Sequence, residues 1–101
     1  MAINTVIEIR RVNNVTTFTP DPANIKAGDS VNWVNSDDRG DQAGAHQLAP
    51  VGGSPTAWMQ FPVLPGPGGE TSLVYFPNAG PIAYQCVVAG HQNERGTINV
   101  T

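Results

Sequence analysis

Three side chains in this 101-residue chain are candidate ligands for a soft metal: Cys86, its only cysteine, His91 five residues later, and His46 forty residues before the cysteine. Cys86 lies near the end of the apolar run Ile82 to Val87, and His91 follows in a short loop before the alternating run Thr97 to Thr101. One thiolate with two imidazoles is the donor set of a mononuclear copper electron-transfer site. Their near-trigonal plane suits both Cu(I) and Cu(II), so little has to move when the electron leaves. The cysteine has to be a thiolate, which a bound metal enforces, and the histidines have to be neutral. Taken singly, a buried cysteine is usually an inert small hydrophobe and a lone histidine a hydrogen-bonded loop residue. Together, in these contexts, the three read as ligands.

The elements that must position them are strands. Short β-type runs recur at Thr5 to Arg10, Val15 to Phe18, Ile25-Lys26, Val31 to Asn35, Thr71 to Phe76, Ile82 to Val87 and Thr97 to Thr101. Turn residues separate them, among them Pro20-Asp21-Pro22, Ala27-Gly28-Asp29 and Pro77-Asn78-Ala79-Gly80. No window holds a 3.6-residue period. The pattern predicts an all-β fold, a Greek-key sandwich or barrel, with residues 1–101 as one domain. The inward parity of Ile82, Tyr84 and Cys86 points the sulfur into the interior. Trp33 and Tyr84 read as core aromatics. Residues 37–44 form a polar loop just before His46. Residues 51–69 are rich in Pro and Gly but carry Trp58, Met59 and Phe61, which suggests an irregular crossing segment pinned by aromatics.

Composition excludes several function classes. The net charge is -3 and only 13% of residues are charged, so no basic stripe exists to neutralise nucleic-acid phosphates. No apolar run reaches membrane-spanning length. The 11 glycines and 9 prolines are spread along the chain, as turn residues are and disordered tracts are not. A single cysteine cannot form an internal disulfide and so does not report the compartment. Met1 to Thr5 has neither a basic nor an apolar leader region, so the chain either stays where it is made or loses a signal peptide before residue 1.

On Phe18-Thr19-Pro20, Ile25-Lys26-Ala27-Gly28-Asp29-Ser30-Val31-Asn32-Trp33-Val34-Asn35, His46, Phe76-Pro77-Asn78-Ala79-Gly80, Tyr84-Gln85-Cys86, His91 and Gly96-Thr97-Ile98-Asn99-Val100, the sequence resembles the cupredoxins, the plastocyanin, amicyanin and azurin group of small blue copper proteins. The resemblance spans most of the chain. The Gly-Asp-x-Val-x-Trp run, the isolated histidine and the Cys-x4-His loop are specific as a set and weak alone. It implies a β-sandwich with one type 1 copper near one end, ligated by His46, Cys86 and His91. It also implies a location outside the cytoplasm, in a periplasm, lumen or extracellular space. Two positions depart from the family. Where a methionine usually precedes the last strand, this chain has Glu94, and where an asparagine usually follows the first histidine it has Gln47. An asparagine there helps lock the two ligand loops together, which Gln47 could do only with a shifted geometry.

Glu94 admits three readings. It ligates copper axially through a carboxylate oxygen, which favours Cu(II) and lowers the potential. Or it turns away, leaving an axial position open to water or a small molecule. Or it is a solvated loop residue, the ordinary state of a charged loop side chain. Met59 reads as a gap-filling core residue rather than a substitute ligand. Asp37, Asp38 and Asp41 could orient a basic redox partner, but with Arg39 among them they read better as turn-forming, solubilising residues.

The leading functional reading is a one-electron carrier that meets larger redox partners through a weak, transient surface near His91, made flat by Ala45, Ala89 and Gly90. The alternative is a copper site, open or carboxylate- or water-ligated at its axial position, that binds or transforms a small molecule such as nitric oxide. A zinc or storage module using His46, Cys86, His91 and Glu94 is a third reading. A cysteine hydrolase is the weakest, because no oxyanion hole or third triad partner is visible.

Overall fold

In the computed structural model, which describes residues 3–13, 15–39, 44–51, 61–88, 91 and 93–101, eight strands form two facing sheets. They are β1 (Asn4–Val12), β2 (Val15–Thr19), β3 (Ala23–Ile25), β4 (Ser30–Asn35), β5 (Leu48–Pro50), β6 (Val74–Tyr75), β7 (Gly80–Cys86) and β8 (Arg95–Val100). One sheet runs β2-β1-β4-β6 and the other β3-β8-β7-β5. The β1–β4 and β3–β8 pairings are parallel and the others antiparallel. The chain crosses from one sheet to the other between most successive strands, which is the predicted all-β, Greek-key sandwich. Among the described residues no helix is long and apolar enough to cross a membrane.

Period-2 alternation explains why these segments pair as they do. Ile7 and Ile9 of β1, Val31 and Trp33 of β4, and Ile82, Tyr84 and Cys86 of β7 all bury their side chains between the sheets. Trp33 and Tyr84, both fully buried, meet edge to face with ring centroids 5.2 Å apart, and Phe18 meets Tyr84 at the same distance. Phe61 closes on Trp33 from the segment between β5 and β6. Edge-to-face contacts of this kind suit the ring quadrupoles, and they make the floor beneath Cys86 stiff.

Two glycines have definite tasks. Gly28 turns the chain between β3 and β4 at φ 95, a conformation that side chains rarely adopt. The Asp29 carboxylate then accepts the Ile3 and Lys26 backbone N–H groups, which holds its pKa below the usual carboxylate range and ties the start of β1 to this turn. Gly96 pairs with Tyr84 across β7–β8, and a Cβ at residue 96 would run into the Tyr84 hydroxyl and ring.

Three local expectations are revised. The run Thr71 to Phe76 yields only the two-residue β6, because the ladder is interrupted at Thr71: its N–H still donates to Trp33 O, but its hydroxyl rather than its carbonyl accepts the Trp33 N–H, and that hydroxyl donates to the Ser72 carbonyl. The short, proline-ended β5, which no alternation announced, pairs with β7 beside Cys86. β3 begins at Ala23, ahead of the Ile25-Lys26 pair read from the sequence. Trp58 and Met59 lie outside the described residues, as do Asp41, Ala89 and Gly90.

Candidate metal centre

Cys86 is the last residue of β7, and its sulfur is fully buried. The loop that follows closes on itself through the backbone. The Cys86 N–H donates to the Glu94 carbonyl, His91 N–H to Val88 O, and Glu94 N–H to His91 O. This winding brings His91 and Glu94 back over the cysteine. His46 arrives from the opposite flank, where its N–H and C=O both bond Leu64 in an isolated antiparallel bridge. The two flanks are joined by backbone. Val87 N–H donates to Gln47 O at 2.8 Å, and Gln47 N–H reaches the Cys86 sulfur at 3.5 Å. The Gln47 side chain instead donates to Phe61 O, so Gln47 does link the ligand loops, but through its main chain.

The outcome is a convergence of four donor atoms, one each from His46, Cys86, His91 and Glu94, all within 4.8 Å of one another. Cys86 Sγ lies 3.7 Å from Nδ1 of His46 and 3.7 Å from Nδ1 of His91. Metal–nitrogen bonds of about 2.0–2.1 Å and metal–sulfur bonds of about 2.3 Å, opened by about 110–120°, separate such donors by roughly 3.6–3.8 Å. One ion can therefore reach all three. Glu94 Oε1 stands 2.9 Å from His46 Nδ1 and 3.5 Å from His91 Nδ1. It is buried yet makes no hydrogen bond of acceptable geometry. A buried carboxylate oxygen held close to two ring nitrogens without bonding either is what a shared cation would explain. The His46, Cys86, His91 group thus fits a type 1 copper site.

Glu94 is therefore not the solvated loop residue that its charge suggested. Its side chain is 13% exposed. Burial alone would raise its pKa, but the closeness of the His46 ring and the Thr16 hydroxyl and the nearby histidine charges outweigh this and keep it below the usual glutamate value, ionised and able to donate. Thr16 is on β2 of the opposite sheet, and Arg11 donates to the same hydroxyl from β1.

His46 shows the same tension from the other side. Desolvation opposes its charging, but the Cys86 sulfur and the carboxylates of Glu94 and Asp37 outweigh it and raise its pKa to about 10 in the metal-free protein. A metal ion at Nδ1 replaces that proton, so loading releases protons and weakens as pH falls.

Asp37 is the residue the sequence reading missed. Its sequence context, among Asp38, Asp41 and Arg39, reads as turn-forming and solvated, yet its carboxylate is fully buried. Oδ2 lies 2.9 Å from His46 Nε2, the ring nitrogen facing away from the sulfur. Arg39 binds the same carboxylate through Nε and Nη2, the shortest contact being 2.7 Å. Burial pushes the Asp37 pKa up, but the Arg39 and His46 hydrogen bonds outweigh it and hold the carboxyl far below its ordinary range. Asn35, also fully buried, fixes this loop: its Nδ2 donates to Gly44 O and Leu64 O, and its Oδ1 accepts the Asp37 N–H. The one sequence signal was Arg39, a cation set among acids in a chain poor in charge.

No protein-family model matches the sequence, and no curated protein is detectably similar to it. Solved structures are. A purple cupredoxin from Nitrosopumilus maritimus superposes with a TM-score of 0.74 at 22% identity, over 95% of this chain and 98% of that one. A plastocyanin from Dryopteris crassirhizoma, in its oxidised form, gives 0.70 at 19% identity, over 96% of this chain and 100% of that one. A copper-containing nitrite reductase from Thermus scotoductus gives 0.73 at 25% identity, over 96% of this chain but only 22% of the enzyme. The chain has the cupredoxin fold.

Proposed function

We propose that this chain binds one copper ion through His46, Cys86 and His91, with Glu94 as a fourth, axial donor, and carries single electrons between larger redox partners. The observation that supports it most is the unbonded Glu94 oxygen beside two imidazoles that each stand 3.7 Å from one thiol sulfur. Copper, when bound, supplies a one-electron couple.

The residues supply the rest. Asp37 accepts from Nε2 of His46 and leaves Nδ1 as the nitrogen whose proton a metal would replace. The Gln47 N–H placed on the sulfur withdraws charge from the thiolate. The packed Phe18, Tyr84 and Trp33 rings behind Cys86 exclude water and resist movement. His91, whose side chain is 12% exposed where that of His46 is fully buried, is the imidazole nearer solvent and the natural point of electron entry and exit. A weak encounter surface around it suits transient exchange, and a location outside the cytoplasm accompanies this reading. Glu94 filling the axial side favours the carrier over an open small-molecule site.

Voltammetry of the copper-loaded protein tests the proposal. A reversible one-electron wave, with an optical spectrum unmoved by azide, nitrite or nitric oxide, is expected. A spectrum that responds to those ligands would instead favour small-molecule chemistry. Preference for zinc in a competition with copper would favour a storage role.

A further inference from the structure

We propose that Asp37, paired with Arg39, is a positioning residue that fixes the orientation and tautomer of His46 and biases the bound metal between its oxidation states. This rests on the copper reading only for its redox part. The carboxylate is fully buried, an expensive place for a charge, and among the described side chains it is held there by the Arg39 guanidinium and His46 Nε2. The carboxylate also caps its own loop by accepting the Arg39 backbone N–H, but that contact alone does not call for a second bond to a histidine ring. What the carboxylate does supply is a single acceptor on the far side of a ligand imidazole, in the arrangement that orients metal-bound histidines and raises their basicity.

The loop is built to hold that acceptor still. Asn35 takes the Asp37 N–H on its own side-chain oxygen, while the Arg39 backbone N–H and guanidinium both return to the carboxylate. The Asp37–Arg39 pair is neutral as a unit, and each half carries a charge of opposite sign close to the same imidazole. Removing either half therefore perturbs the metal in opposite directions. Without the carboxylate, a residual positive charge disfavours Cu(II). Without the guanidinium, an uncompensated negative charge favours it. A merely structural pair would not separate in this way, since loosening the loop from either side has the same consequence.

The test compares Asp37→Asn and Arg39→Gln with the parent protein. The expected result is a Cu(II) affinity lower by about tenfold or more in Asp37→Asn, with the Cu(II)/Cu(I) potential raised. In Arg39→Gln the potential falls. Each tenfold change in the ratio of Cu(II) to Cu(I) affinity moves it by about 59 mV. A second readout uses the zinc-loaded protein and does not depend on copper chemistry: nitrogen-15 spectra should show the His46 proton on Nε2, slow to exchange in the parent and fast in Asp37→Ala. Potentials that shift in the same direction in both variants, or not at all, would overturn the redox part. A His46 proton on Nδ1, or one that exchanges equally fast with and without Asp37, would overturn the positioning part. Failure of the parent to bind copper while the zinc-form signal behaves as stated would sink the copper reading and leave the positioning role standing.

Discussion

His46 and His91 bring the same ring atom to the same point by opposite means. His46 is fully buried, bonded to Leu64 through both backbone groups, and gripped at its outer nitrogen by Asp37. His91 is held chiefly by the backbone of its own loop, and its side chain keeps some exposure to solvent. Cys86 lies between them, on the last residue of a strand whose neighbours Tyr84 and Ile82 are core. One flank of the centre is an anchor built into the sandwich, and the other is a door. On the proposed reading the site exchanges electrons without rearranging and needs both: rigidity to keep the donors placed in either oxidation state, and one donor edge near the surface.

Removing each histidine tests that contrast with the largest effect. His46→Gly and His91→Gly both abolish the intense thiolate-to-copper absorption. Added imidazole should restore it in His91→Gly, where the vacated space borders solvent, and not in His46→Gly. Equal rescue of both, read from the visible spectrum, would erase the distinction between anchor and door.

The anchor can also be weakened without touching a ligand. Asn35→Ala deprives Gly44 O, Leu64 O and the Asp37 N–H of their partner in a buried setting. A loss of about 1–3 kcal/mol is expected, measured by urea denaturation, together with weaker copper binding.

The charge on His46 offers a smaller, pH-dependent test. Its folded pKa of about 10 lies above the ordinary 6.5, so the stabilisation it contributes to the metal-free protein is present below 6.5 and lost as pH rises through about 10. The melting temperature of the metal-free protein should fall across that window. The fall should be shallower in Glu94→Gln, which removes one of the carboxylates that hold the proton. A flat profile in the parent would mean His46 is neutral without metal.

Glu94→Met should change the fold least and still shift the colour. A thioether in place of a hard anionic oxygen favours Cu(I), so the potential rises and the thiolate band moves and intensifies. An unchanged spectrum would place Glu94 off the metal.

The parts of this centre that were legible in the sequence are those set by local spacing. Cys86 and His91 were, because a strand end followed by a four-residue gap places two donor side chains in one loop, and strand parity alone buried the sulfur. The sandwich was legible from strand runs divided by Gly, Pro and Asn. What was not legible depends on segments distant in sequence. The inward turn of Glu94 needs the Cys86–Glu94 backbone bond and a hydroxyl from β2 in the opposite sheet. The burial of Asp37 needs Asn35, Arg39 and a histidine nine residues on. In isolation each is a charged loop residue, and the rule that such residues are solvated is right for most of them.

The most direct measurement is a titration of the metal-free protein with Cu(II), followed by visible absorption and repeated with Cys86→Ser. An intense band that saturates at one equivalent and vanishes in Cys86→Ser is the expected result, placing a single copper on the thiolate. Weak absorption that is the same in both proteins would contradict it, leaving copper elsewhere or not bound at a defined site.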